Sequence, residues 1–571
     1  MESTDQSSYS VARAARPTSV ETSHRLVHRV GLLAALFASW MASGASFAQA
    51  ADPDREFAAI KARLELLERE NAELRSAITN PNKLLTQVSS VSVMAGEDDG
   101  RIRSVVEQYM AEQKAADKAV EEAKKQAAAE EGYEVGSDLA MTAKWNNGLE
   151  LSTKNKDFRI HIGGRTQYDG GAFWAPQTVQ DNINNQYQNG NDFRRARLRI
   201  DGTMYEQQEF AVEYDFVNSS KFVTKSGASD TTGILDVTAF TDVWWQLKEL
   251  PVVGNIRIGN QKEAIGFEHM VSSRYLPFME RSYNQDSFYG GSFNGFTPGV
   301  SIFDSYGEDT GTWNIGIYKP TNNVFAYNAH TGDYAVTGRV TKLLWYEAEG
   351  ADLLHIGLGA RQYTSVGDTV QFRTRDAIRT GASQVWSSPA DTGVLFANDG
   401  QFLAPEIAAV RGPWTFQAEY LGNWTHDVQT KKGGPVTDQV FYQGGYVQAF
   451  YFLTGEHDNY SKERAAFDRV KPRENFFLMR SEGGTASGWG AWQIGARYNY
   501  LNLNSNGING GELNNYTLGL NWFWNPNMKV QFNYMATDRN AYSAKGGGAA
   551  LAPGVGDGLI QGIGMRFAHD F

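Results

Sequence analysis

Residues 488–571 alternate bulky apolar side chains with small or polar ones, and this alternation constrains the fold more than any other feature of the chain. Tyr516, Leu518, Leu520, Trp522 and Trp524 share one parity, and Thr517, Gly519 and Asn521 the other, which is the period of a strand. After a turn at Asn525-Pro526-Asn527 the pattern resumes, with Met528, Val530, Phe532 and Tyr534 set against Lys529, Gln531 and Asn533, so a hairpin is expected. Trp492, Ile494, Ala496, Tyr498 and Tyr500 alternate in the same way before it, and Ile563, Met565, Phe567 and Phe571 after it. Strands of about ten residues, aromatics near strand ends and an opposite face of Arg, Lys, Asn, Gln and Gly favour a membrane barrel over a sandwich.

Composition agrees with that reading. A mean hydropathy of -0.45 excludes a bundle of membrane helices but not a barrel, in which only alternate residues meet lipid. The chain has no Cys, so disulfides, thiolate metal sites and Cys nucleophiles are excluded. A net charge of -12 argues against nucleic acid as a partner and fits acidic loops at a cell surface.

The start of the chain reads as an export address. Arg25, His28 and Arg29 precede the apolar run 30–40, and Ala48-Gln49-Ala50 offers a cleavage site, so residues 1–50 are expected to be a signal peptide. In 51–80, Phe57, Ile60, Leu64, Leu67, Asn71, Leu74 and Ile78 follow a 3,4 spacing, with Arg63 set to face Glu68 and Glu70 to face Arg75 in a parallel partner. That is a coiled-coil seam, the alternative being one amphipathic helix lying on the barrel. Asn71 at a core position leans to two strands. Residues 81–132 read as a linker and a charged helix, and 133–571 as the barrel, with Asn147-Gly148 as its first turn signal.

Candidate strands fall at 157–168, 193–205, 208–218, 234–247, 253–261, 296–305, 312–318, 333–345, 352–364, 402–411, 414–425, 440–453, 489–502, 513–524, 528–537 and 558–571. Sixteen is an even number, as a closed barrel of antiparallel strands requires. Connections alternate long and short, which sets both ends of the barrel and the helical extension on the periplasmic side. Residues 454–488 break the rule: a short inner turn is due there, and the segment either hides a hairpin or folds into the pore.

If the apolar parity faces lipid, Arg159, Arg165, Arg195, Arg197, Arg199, Arg257, Arg339, Arg361, Arg497, Lys529 and Arg566 face the lumen. Asp201, Glu209, Glu213, Asp215, Asp236, Asp242, Glu419 and Asp570 oppose them. Such a wall either braces itself by ion pairing or concentrates anions in the pore. No nucleophile elbow, His-Glu-x-x-His or P-loop is present, and His161 and His355 fall on the lumen parity and not at an outer rim, so no enzyme is expected.

Six segments in order carry a family resemblance: Ile162-Gly163-Gly164-Arg165-Thr166-Gln167-Tyr168-Asp169, Phe193-Arg194-Arg195-Ala196-Arg197-Leu198, Gly259-Asn260-Gln261-Lys262, Phe278-Met279-Glu280-Arg281-Ser282, Leu453-Thr454-Gly455-Glu456 and Gly490-Ala491-Trp492-Gln493-Ile494-Gly495-Ala496-Arg497-Tyr498. Over residues 136–571 the chain resembles the phosphate-selective porin O and P family. The resemblance implies a trimeric outer-membrane barrel of a Gram-negative bacterium, with the third and fifth outer loops and one long periplasmic turn folded into the pore. It also implies anion contacts at Ser272, Ser273, Arg274 and Arg281, an inner-wall carboxylate at Asp242, and an Arg ladder at Arg165, Arg194, Arg195, Arg373 and Arg375. His269 stands where the family has the Lys of its tight site, and a neutral imidazole would weaken strict phosphate selectivity.

The expectation is therefore an all-β transmembrane barrel of 16 antiparallel strands with an N-terminal periplasmic coiled-coil extension, acting without cofactor or metal as a passive, anion-preferring pore. A general diffusion porin, or an envelope tether that reaches peptidoglycan or another periplasmic partner through the coiled coil, are the alternatives. Its partners would be outer-membrane lipid and small anions.

Overall fold

The computed structural model describes residues 134–183, 187–226, 229–290, 295–321, 325–329, 332–379, 388–481, 484–541 and 555–571. The expected signal peptide, coiled coil and charged helix lie outside the described residues.

Sixteen antiparallel strands close into a barrel. In chain order they are β1 (Arg159–Trp174), β2 (Gly190–Met204), β3 (Gln208–Ser226), β4 (Ser229–Leu250), β5 (Gly254–Lys262), β6 (Phe296–Tyr306), β7 (Gly311–Tyr318), β8 (Ala335–Glu347), β9 (Asp352–Thr364), β10 (Asp399–Arg411), β11 (Trp414–Val428), β12 (Thr437–Phe452), β13 (Ala491–Ser505), β14 (Ile508–Asn525), β15 (Met528–Asn540) and β16 (Gly558–Asp570). Each strand pairs with the next, and β16 pairs with β1 from Gln561↔Trp174 to Asp570↔Arg165. Beyond that point a short hairpin, Met141–Trp145 with Leu149–Thr153, takes over the free edge of β1, with Leu149 opposite Ile162 and Ser152 opposite Arg159. Its turn is the Asn147-Gly148 pair, with Asn147 at φ 52. Covering that edge removes a row of unpaired amides and carbonyls.

The outward parity carries Leu198, Ile200, Ile258, Ile315, Ile317, Ile356, Leu358, Ile407, Leu518 and Ile563, all exposed, as a lipid-facing surface requires. Two expected loops are absent. Where 219–233 reads as a long loop, β3 and β4 run on as paired strands to Ser226↔Ser229. The β-branched residues Val223, Thr224, Thr231, Thr232 and Ile234 favour extension, and antiparallel pairing satisfies the backbone that a free loop would leave to water. Between β13 and β14 the chain turns at Asn506 (φ 47) and Gly507 (φ 83), an Asn-Gly hairpin that carries the strands several residues past the expected ends.

Two outer loops and one inner turn enter the barrel. The third outer loop, 263–295, is buried along most of its length. The fifth, 365–398, meets it through Phe372 on Phe288 and Arg375 on Asp286, and the inner turn 453–490 sends its hairpin Tyr460–Ser461 with Ala466–Phe467 up from below. Phe267, Val271 and Leu276 of the third loop pack with Tyr460, Ala465, Ala466 and Phe467 of the turn and with the wall residues Leu343, Leu353, Ala408 and Val410. Part of the lumen is thus an apolar core.

Candidate permeation site

The third loop is fixed to the wall by charge as well as by packing. Glu419 of β11 accepts the amides of Phe267 (2.6 Å) and Glu268 (2.9 Å) at the start of the one-turn helix Phe267–Met270. Gly266 precedes that helix at φ 63, and a Cβ there would stand 2.5 Å from Glu419 Oε1, so only glycine lets the loop approach this closely. Arg497 of β13 donates to Glu268 Oε1 (3.0 Å) and to the Glu280 carbonyl (2.7 Å). Arg361 of β9 forks onto Glu263 at 2.8 and 3.0 Å.

On the opposite side the loop leaves a cavity of about 2050 Å³, open to solvent, between itself and the wall formed by β1–β8. Eleven Arg or Lys side chains and six Asp or Glu line it. Most of the arginines have a carboxylate. Arg165 and Arg197 share Glu213, Arg197 also meets Asp215 at 2.8 Å, and Arg199 bridges Asp201 (3.0 Å) and Asp242 (2.9 Å). Three cations of the lining are held otherwise. Lys262 Nζ donates to the carbonyls of His269 (2.6 Å) and Val271 (3.4 Å), Arg281 to those of Glu268 (3.1 Å) and Val271 (2.6 Å), and Arg257 to Gln246 Oε1 (2.6 and 2.9 Å) between the rings of Trp244 and Phe303. None of the three meets a carboxylate within ion-pair distance among the described residues.

The residues singled out in the sequence separate into three groups. Ser272, Ser273, Arg274, Arg281, Asp242, Arg165 and Arg195 line the cavity together. Arg165 donates to Ser273 Oγ (2.7 Å) and Ser272 Oγ (3.4 Å), which joins the β1 wall to the loop. Arg274 lies 3.5 Å from Asp570, Asp242 also accepts from Trp244 Nε1 (3.2 Å), and Arg195 donates to Gln167 (2.7 Å). The second group clamps loops. Arg194 forks onto Glu280 (2.7 and 3.1 Å), and Arg375 holds Asp286 (2.7 Å), with Arg379 bridging Glu280 and Asp286 at 3.2 Å each. Burial pushes Glu280 up, but Arg194, Arg379, Arg195 and Arg566 outweigh it and hold its carboxyl well below the usual range. Arg373 sits in the short strand Arg373–Thr374 of the fifth loop, away from the cavity.

His269 is the third case: expected among the constriction residues, it has a side chain that does not line the cavity. Its side chain is fully buried, edge-on to Tyr289 with ring centroids 4.9 Å apart, and neither ring nitrogen has a well-formed hydrogen bond. Burial, reinforced by Lys262 and Arg281, holds its pKa well below the ordinary value, so the ring is neutral. Its backbone, not its imidazole, takes part in the site, through the carbonyl that Lys262 holds.

Two features escape a parity argument. Arg194 and Arg195 are neighbours yet both turn inward, because the β1–β2 register steps from Gln167↔Arg195 to Tyr168↔Phe193 and leaves Arg194 as a bulge. Lys262 has the parity opposite to Arg257, but it is the last residue of β5, where the strand hands over to the inturned loop. The one available signal was its place at the end of Gly259-Asn260-Gln261-Lys262.

A closed sixteen-stranded barrel, apolar outside and narrowed inside by its own loops, defines an outer-membrane porin, and the protein resides in the outer membrane of a Gram-negative bacterium. The model of the phosphate-selective porin O and P family matches residues 160–567, and the chain belongs to that family. Porin O of Pseudomonas aeruginosa PAO1 is 24% identical over 445 residues, 70% of this chain and 87% of that protein. An uncharacterized protein of Caulobacter vibrioides is 24% identical over 442 residues, 75% of this chain and 76% of that one. Among solved structures, an anion-selective porin from Comamonas acidovorans is 10% identical with a TM-score of 0.39, covering 72% of this chain and 100% of its own. The trimer form of OmpT, an outer membrane protein of Vibrio cholerae, is 12% identical with a TM-score of 0.41, covering 72% and 99%.

Proposed function

We propose that the protein is a passive pore that prefers small anions, with its selective contact where the third loop faces the β1–β5 wall. The observation that carries this reading is the pair Lys262 and Arg281. Both line the cavity, both donate to the Val271 carbonyl, and neither meets a carboxylate within ion-pair distance among the described residues. Cations partly removed from water and not directly paired with a carboxylate favour a mobile anion beside them. Ser272 and Ser273 offer hydroxyls, and Arg274 a guanidinium, on the same side of the loop to replace water around an oxyanion. Asp242 and Glu213 keep the surrounding arginines from binding the solute too tightly to release it.

Phosphate or another small oxyanion is the proposed solute, and a homotrimer in outer-membrane lipid the proposed assembly, as the family resemblance implies. The heptad seam in 51–80 supports a coiled coil that reaches toward peptidoglycan, and a Leu67→Cys crosslink in the Cys-free chain counts its strands. The pore is tested by reversal potential in a planar bilayer across a KCl gradient, repeated with added phosphate. Anion preference with phosphate block supports an oxyanion site. Weak or cationic selectivity without block makes the protein a general diffusion porin.

A further inference from the structure

The inner turn 453–490 divides at the barrel rim. Its first hairpin lies in the lumen, whereas its second, Phe477–Ser481 paired with Gly484–Gly488, begins beside Phe476 on the outer face of the wall. Phe476 fixes that side. Its amide donates to the Trp524 carbonyl (2.7 Å), and its ring centroid stands 4.5 Å from that of Trp522 and 5.4 Å from that of Trp524. Trp522 and Trp524 have the outward parity of β14, shared with the exposed Tyr516 and Leu518. Trp522 stacks on Trp492 at 4.9 Å and Trp524 meets Phe567 at 5.6 Å, so the rim carries an aromatic girdle that the second hairpin prolongs.

The described apolar side chains at this hairpin are exposed. Phe477 is 62% exposed, Met479 42%, and Trp489 just after it 77%. Lys471 and Arg473 precede it in the chain and are exposed, with Arg473 donating to the Thr454 and Gly455 carbonyls. Aromatic and apolar groups beside basic ones, level with a girdle, are the composition of a membrane–water interface, where a ring can be half dry and a basic head can reach phosphate.

We propose that the paired strands Phe477–Ser481 and Gly484–Gly488, with Trp489, form an interfacial anchor that rests in the periplasmic leaflet of the outer membrane, with Phe477, Met479 and Trp489 at the boundary between headgroups and acyl chains. Phospholipid is the occupant because the patch is continuous with the lipid-facing girdle through Phe476. One turn then grips the loop plug with its first half and the membrane surface with its second, so the plug hangs from a rim anchored in lipid.

The test is collision accessibility of a nitroxide on Met479→Cys, and independently on Phe477→Cys, in the full chain reconstituted into phospholipid vesicles. Leu518→Cys on the outer wall and Lys432→Cys in an outer loop serve as lipid and water references; both positions are exposed. At positions 477 and 479 the ratio of oxygen to nickel-chelate accessibility is expected several-fold above that at Lys432→Cys and below that at Leu518→Cys. A ratio equal to the Lys432→Cys reference would place the hairpin in water and overturn the proposal. So would exclusion of both reagents together with dipolar broadening between labels, which would mean that a second copy of the chain covers the patch.

Discussion

The two sides of the lumen use the same residue types to opposite effect. Arg339–Glu406, where the inner turn meets the cavity lining, and Arg497–Glu268 and Arg566–Asp169, on the side packed by the inturned loops, pair with side-chain exposures of 0–4%. His355 completes the first pair from β9 at 2.9 Å, and Lys529 caps the Leu276 carbonyl at 2.7 Å. On the open side, Arg159–Asp201 and Arg199–Asp242 pair at similar distances but are 18–30% exposed, while Arg165 and Arg197, where the loop meets the wall, share Glu213, which is as buried as the packed carboxylates. A buried pair is part of the architecture, because removing one partner strands the other without water. A pair facing the cavity is screened and can exchange its contact for a solute. Counting charges around a barrel therefore says little until the loops are placed.

That contrast breaks most directly at Arg566. Its guanidinium holds Asp169 (2.6 Å to each oxygen) and Glu280 (2.9 Å). Arg566→Met is expected to destabilise the barrel by roughly 3–5 kcal/mol in equilibrium denaturation, whereas Arg159→Met on the open side should cost less than about 1 kcal/mol. Equal losses would show that both sides are structural.

The inner turn supplies the next effect. Burial raises the Asp458 carboxyl from its ordinary value to about 6. A folded-state pKa above the unfolded value of about 4 means that the folded protein binds the proton more tightly. The associated stability is complete below about pH 4 and is lost as pH rises through about 6, at most ~3 kcal/mol. Asp458→Asn should flatten that window in a pH series of unfolding midpoints, and an unchanged slope would mean that the carboxyl is charged throughout.

Period two was enough to place all sixteen strands and to turn Arg165, Arg197, Arg257, Arg339 and Arg497 toward the lumen, because strand geometry is local. The extensions of β3 and β4 were hidden by a Ser-, Thr- and Asp-rich stretch that looks like a loop and is held by cross-strand pairing alone. Contacts such as Arg375–Asp286, 89 residues apart, depend on how two loops meet, and no spacing encodes that. The family motif marked Ser272 and Ser273, but not that Lys262 would turn into the lining while the imidazole of His269 turned out of it. Both follow from the path of the loop between Gly266 and Tyr289.

Lys262 gives the third test. Lys262→Met should lower the anion-to-cation permeability ratio about tenfold, equivalent to ~1.4 kcal/mol, while Lys262→Arg should keep most of it. The matched loss on the packed side, Lys529→Met, should leave the ratio unchanged. If both lysines alter selectivity alike, the division of the lumen into packed and open sides does not govern permeation.

His269 gives the smallest effect and the sharpest control. Its ring is held neutral at ordinary pH by burial and packed on Tyr289, so it adds no charge to the pore there. An accessible imidazole of ordinary pKa, about 6.5, would make the pore more anion-selective as pH falls through that value. His269→Gln should match wild type in reversal potential at pH 5 and at pH 8, because the cavity-lining imidazole, His161, is common to both. A step present in wild type and absent from the variant would put the imidazole in contact with the passing anion. The boundary between the packed and open sides would then lie on the other face of the helix Phe267–Met270.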